Sequence, residues 1–264
     1  MSERALTAVD AIDKGTPRPI VRHVMVGALY GLLTGTAFVL MSAFIDVLLH
    51  PNLPLGVDWT LMSTRWISIG LGLAVIGAAT CWPNETWQGL LSGAVVSGAI
   101  VLISSLFDSP IRVGMKLIVL VFTLMPVTVM ALPIAWILRR LAEKHALALQ
   151  SEQPAARLAL LMLIAIVLGA GSGYFTKMSP REVEVTRYAH ELLQNPIDEN
   201  NPIRNIEEVQ AHQGVPYKLY QTQSKVSTEG YDIRVEYEDG FVLQCVAVLY
   251  PGRDPYISTC KPER

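Results

Sequence analysis

The chain is 264 residues long, 51% hydrophobic and only 17% charged, with a mean hydropathy of +0.37. That is too little polar surface to coat one soluble globule, so the composition points to a membrane. The formal net charge is −2, and the acidic balance of the C-terminal part argues against nucleic-acid binding.

Residues 1–23 read as a polar cytoplasmic tail of mixed charge. The apolar run that follows is too long for a signal-peptide core and lacks a convincing cleavage site, so it reads as a retained anchor. Five apolar runs then predict transmembrane helices: Val24–Ile45, Trp66–Trp82, Trp87–Phe107, Leu117–Leu138 and Leu158–Phe175. Each is about long enough for a hydrocarbon core of roughly 30 Å at 1.5 Å per residue. Together they make residues 24–175 a five-helix bundle.

Basic residues set the expected orientation, because short cytoplasmic loops retain Lys and Arg. The tail holds Arg4, Lys14, Arg18 and Arg22, and the link between spans four and five holds Arg139, Arg140, Lys144 and Arg157. The opposite loops hold Arg65, Arg112 and Lys116. The N-terminus is therefore expected inside and the C-terminal part outside, in a bacterial cytoplasmic membrane. Trp59, Trp66, Trp82, Trp87 and Trp136 all fall at the predicted boundaries, where an amphipathic ring is favoured.

Within the bundle, Gly27, Gly31 and Gly35 form a stripe at intervals of four, and Gly89 and Gly93 repeat the spacing. Such stripes let two helix backbones approach closely, so these five glycines are expected at helix-packing seams within the monomer. Gly169, Gly171 and Gly173 loosen the end of the fifth span. Pro126 and Pro133 each remove an amide donor from span four and are hinge candidates. The link Pro83–Thr86 is so short that spans two and three must be antiparallel neighbours. Spans one and three both begin near GLL(T/S)G and both end in an aspartate, Asp46 or Asp108. Two parallel hairpins would leave that pattern, although the alignment needs a four-residue gap and membrane helices share few letters. Asp108 is also positioned in sequence to pair with Arg112 or Lys116 at the outer surface.

No ionisable residue lies at mid-membrane. Ion-coupled carriers and pumps usually need one. His23, His50 and His145 sit at or beyond span ends, so no in-membrane haem or chlorophyll ligand is expected, and no cofactor is implied. Nor does a His or Asp stand near a mid-depth serine to activate it.

From Lys177 onward there are 14 Asp plus Glu against 10 Lys plus Arg, a soluble composition, and residues 176–264 read as a small extracytoplasmic α+β domain. Ser179 and Pro180 begin a helix, with Glu182 and Glu184 in its first turn. Val185, Tyr188, Ala189, Leu192 and Leu193 form its apolar face, and Asn195–Pro196 ends it. Asp198, Glu199 and Asn200 have incomplete calcium-loop spacing and read as a solvated loop. A second short helix is expected over Asn205–Gln213.

The rest is an antiparallel four-stranded meander. Its strands are expected at Tyr217–Val226, Tyr231–Glu238, Phe241–Tyr250 and Pro255–Cys260, with Asp239–Gly240 as a tight turn. If Tyr250 faces Pro255 across the PGRD turn, opposed residues sum to 505 and Cys245 faces Cys260. These two are the disulfide candidate, in a compartment where a disulfide would persist. They lack the neighbouring histidines of a metal site. Cys81 reads as a packing residue. His190 beside Glu191 and His212 after Glu208 are the only pairs resembling a base and its orienting group. With no nucleophile motif or phosphate loop, both read as solvent-facing side chains, and no catalytic residue is assigned.

The resulting expectation is a non-enzymatic polytopic membrane protein. Its outer domain binds another protein, as an accessory or assembly subunit of a membrane complex. The alternative is a small channel or transporter with glycine-lined hairpins and an outer cap.

Overall fold

The computed structural model describes residues 20–108, 113–194, 203, 207–223, 230–249 and 254–263, the side chains of 101–128, 130 and 221–223 excepted. Among the described residues five long helices come first: α1 Ile20–Leu49, α2 Trp59–Cys81, α3 Thr86–Asp108, α4 Val113–Ala148 and α5 Pro154–Tyr174. Of these, α1, α2 and α5 are long and apolar enough to cross a membrane. Two shorter helices, α6 Pro180–Gln194 and α7 Glu207–Ala211, precede and accompany a four-stranded antiparallel sheet.

Two boundaries differ most from those read off the apolar runs. The second helix starts at Trp59 rather than Trp66, because the Asp58 carboxylate accepts from the Leu61 amide at 2.9 Å and caps its first turn. Residues Trp66–Gly70 within it form a π-turn. The fourth helix continues ten residues past Leu138, to Ala148, so Arg139, Arg140 and Lys144 sit on a helix rather than in a loop. It runs without a break through Pro126 and Pro133.

The chain divides into two compact units, one holding the chain up to Val39 with Thr64–Ala170, the other Leu40–Ser63 with Gly171–Arg264. In the first, α1 lies along α2, α2 along α3, and α3 along α4, while α2 also meets α4. Tyr30, Ile76, Leu138, Leu141, Ala148, Leu161 and Ala165 form its buried cluster. Gly169 on α5 seats against Thr34 and Ala37 of α1.

The second unit is organised by hairpins. Its strands are β1 Tyr217–Gln223, β2 Gly230–Tyr237, β3 Val242–Val248 and β4 Tyr256–Pro262, in sequential order. Alternation in β2 and β3 turns Ile233, Val235, Tyr237, Leu243, Cys245 and Ala247 inward. Val185, Ala189 and Leu193 of α6, with Ile203 and Val209, complete that core. Ser179 and Glu182 close a reciprocal cap at the start of α6: the Ser179 amide donates to the Glu182 carboxylate, and the Glu182 amide to the Ser179 hydroxyl. The β2–β3 turn depends on Gly240, whose φ of +89° is a left-handed conformation that glycine adopts without strain. The Asp239 carboxylate accepts from the Phe241 amide beside it.

Segment 40–63 also belongs to this unit, a partnership that the span pattern does not predict. Leu55 forms a parallel bridge with Leu219 of β1 and packs against the sheet core.

Candidate functional site

Strand order leaves the sheet with two unlike edges. On the β1 side the Gly56 amide donates to the Leu219 carbonyl at 3.0 Å, and the Leu219 amide donates to the Pro54 carbonyl at 2.7 Å. That edge is covered at its middle. On the other side, among the described residues, β4 pairs with β3 alone. Its outward residues include Tyr256, 43% exposed, and the exposed Ser258, Thr259 and Lys261.

A disulfide between Cys245 and Cys260 ties β4 to β3. The residue sum of 505 describes the register from Leu243↔Pro262 to Val246↔Thr259, including the facing cysteines. A bulge between Val246 and Ala247 then shifts the pairing by one residue, and the Ser258 hydroxyl donates to the Val246 carbonyl there at 3.0 Å. Edge strands commonly carry such bulges, together with Lys and Pro, which discourage indiscriminate pairing. Here Lys261 and Pro262 occupy the end of β4, and Tyr256, Ser258 and Thr259 are its exposed residues before them.

Neither histidine pair assembles as a base and orienting carboxylate on its own helix. His190 is half-buried, and its Nδ1 shares a hydrogen bond of 2.9 Å with the Tyr217 hydroxyl. Burial lowers its pKa, with Glu191 pulling the other way. His212 donates from Nδ1 to the backbone carbonyl of Glu208 at 2.5 Å. Its Nε2 lies 3.2 Å from the Asp239 carboxylate, and its ring stacks on Phe241 at 4.2 Å. These contacts fasten α7 to the β2–β3 turn. The nearby cavity, lined by Leu193, Val209, His212, Tyr217 and Tyr237 among others, measures about 40 Å³, far below the several hundred Å³ of ordinary small-molecule sites. Among the described residues no three His, Cys, Asp or Glu side chains converge as metal ligands. Residues 198–200 lie outside the described residues.

In the helical unit the glycine stripes lie at backbone contacts. A Cβ on Gly27 would strike Gly77 and Cys81, one on Gly31 would strike Leu73, and one on Gly35 would stand 2.7 Å from the Gly70 Cα. Gly89 and Gly93 abut Thr80 of α2 as well as Arg139 and Ala135 of α4. Thus α2 receives glycines from both α1 and α3. Pro133 is exposed on α4. The side chains of Pro126, Asp108 and Lys116, and all of Arg112, lie outside the described part.

The residue that sequence reading missed is Arg139, counted there only as a topology signal. It is 2% exposed. Its Nη1 donates to the carbonyls of Thr80 and Pro83, both at 3.0 Å, and its Nη2 to that of Asn84 at 2.8 Å. Its Nε pairs with Glu143 at 3.1 Å. The guanidinium thereby satisfies carbonyls at the C-terminal end of α2 and in the following turn, where the helix dipole also favours a cation.

No protein-family profile, curated protein or solved structure matches the chain.

Proposed function

We propose that the protein is a five-helix integral membrane protein whose C-terminal sheet domain is a protein-docking module outside the cytoplasmic membrane, serving as an accessory or assembly subunit of a membrane complex. The observation that carries this reading is the unequal pair of sheet edges. The β1 edge is covered by its own chain, whereas β4 is braced from behind by the disulfide and carries no further strand among the described residues. An extended segment of a partner adds to such an edge through main-chain hydrogen bonds, and flanking side chains supply selectivity. Tyr256, Ser258 and Thr259 would make those side-chain contacts.

The five-span topology rests on the apolar runs, the basic residues near Arg22 and Arg139–Arg157, and the membrane-grade length of α1, α2 and α5. Deleting Lys177–Arg264 should leave the bundle inserted in membranes but remove a stoichiometric partner recovered with the full chain. Recovery of the same partner by the deleted form would refute docking through this domain.

A further inference from the structure

On the helical unit an apolar groove of about 720 Å³ runs between α1 and α2 and ends at α4. Val21, Met25, Leu29 and Leu32 of α1 line it together with Leu71 of α2, and Ala28 and Ala74 narrow it little because their side chains are single methyl groups. From Val21 to Leu32 the wall climbs eleven residues, about 16 Å along a helix axis. That matches one leaflet, half of a hydrocarbon core of roughly 30 Å.

Its polar lining is confined to Arg22 and His145. Arg22 lies near the start of α1, is exposed, and has no ion-pair partner among the described residues. His145 lies near the end of α4, its Nδ1 bonded to the Tyr30 hydroxyl at 2.9 Å. Glu143, the nearest carboxylate in sequence, is already paired with Arg139 and Arg140, at 3.1 and 3.3 Å. Lys144 and Arg140 add positive charge to the same helix end. A groove one leaflet deep, apolar along its length and cationic at its mouth, is complementary to a lipid with an acyl chain and an anionic headgroup.

We propose that this groove is a binding site for one anionic phospholipid from the leaflet nearer the N-terminus, its acyl chain between α1 and α2 and its phosphate at Arg22. The proposal rests on the membrane reading above. A cationic side chain near a headgroup contributes roughly a fivefold preference for negative over neutral lipid.

The test is native mass spectrometry of the full chain released from bilayers of mixed phosphatidylglycerol and phosphatidylcholine. Wild type should retain one phosphatidylglycerol per chain. Arg22→Gln should lower its preference over phosphatidylcholine about fivefold, and Leu71→Trp, which fills the groove, should abolish retention. Equal retention of both lipids by wild type, or unchanged retention in Leu71→Trp, would overturn the proposal. So would a cross-link from position 29 to residues 1–19 or to a second copy. Resistance of the same membranes to alkaline extraction separates the two ideas: an inserted chain without bound lipid defeats only the lipid site, whereas an extracted chain defeats the membrane reading itself.

Discussion

Arg139 holds three backbone carbonyls and a carboxylate while almost wholly removed from solvent. Removing one member of such a buried set strands the others, so Arg139→Gln should cost about 3 kcal/mol or more. Arg139→Lys should recover little of that, because an ammonium lacks the planar fork that reaches several acceptors. Thermal unfolding of the detergent-solubilised chain measures both, and a midpoint unchanged in Arg139→Gln would contradict the clamp. Nothing in the string Pro83–Thr86 says that its carbonyls turn toward an arginine more than fifty residues away, which is why this role is invisible before the fold is known. His190 supports a second expectation. Burial holds its pKa below the ordinary value of about 6.5, so the native state resists the proton that the unfolded chain accepts. The His190 contribution to pH dependence is therefore absent well above pH 6.5, and the sheet domain loses stability as pH falls through that value. Urea unfolding followed by limited proteolysis should show this decline, and His190→Gln should flatten it; an identical slope in both proteins would rule it out.

Among the elements, the disulfide-braced hairpin was the most legible, because a turn of known length sets the register and the register sets which residues face each other. Cys245 and Cys260 follow from that arithmetic, while the bulge at Val246/Ala247 leaves no period of its own in the sequence. Helix starts were less legible. Asp58 caps α2 eight residues before its apolar run begins, and the basic extension of α4 has no hydropathy signal at all. The bridge from Leu55 to Leu219 joins segments distant in sequence, so neither segment announces it locally. Because the disulfide closes a loop with a sequence separation of 15, its removal should destabilise the sheet domain by about 3 kcal/mol. A Cys245→Ser, Cys260→Ser double variant read by urea unfolding tests this, and it should also loosen β4, raising amide exchange at Tyr256–Pro262 above that at Gly230–Tyr237. Equal exchange in the variant and the parent would show that the disulfide does not brace the edge.

At the scale of the whole molecule, three of the apolar runs, those of α1, α2 and α5, and the C-terminal sheet are legible, since a long apolar run and a period of two are strong signals. The candidate site is legible only in part: the sequence predicts the four strands, but not that one edge is covered by segment 40–63 while the other has no further strand among the described residues. In the proposed function a membrane-inserted bundle, held by glycine contacts and the Arg139 clamp, carries a domain that offers one strand edge to a partner. Its topology predicts that a single cysteine introduced at position 258 reacts with an impermeant maleimide in intact cells, whereas one at position 144 reacts only after lysis; the reverse pattern would invert the orientation. Docking is tested most directly by isolating the tagged full-length chain from its native membrane in mild detergent, with a photo-cross-linking residue in place of Tyr256, and measuring the particle's mass and composition. Docking predicts a particle heavier than this chain, containing a stoichiometric second protein cross-linked at position 256. A particle made of this chain alone, with no cross-link, would contradict it.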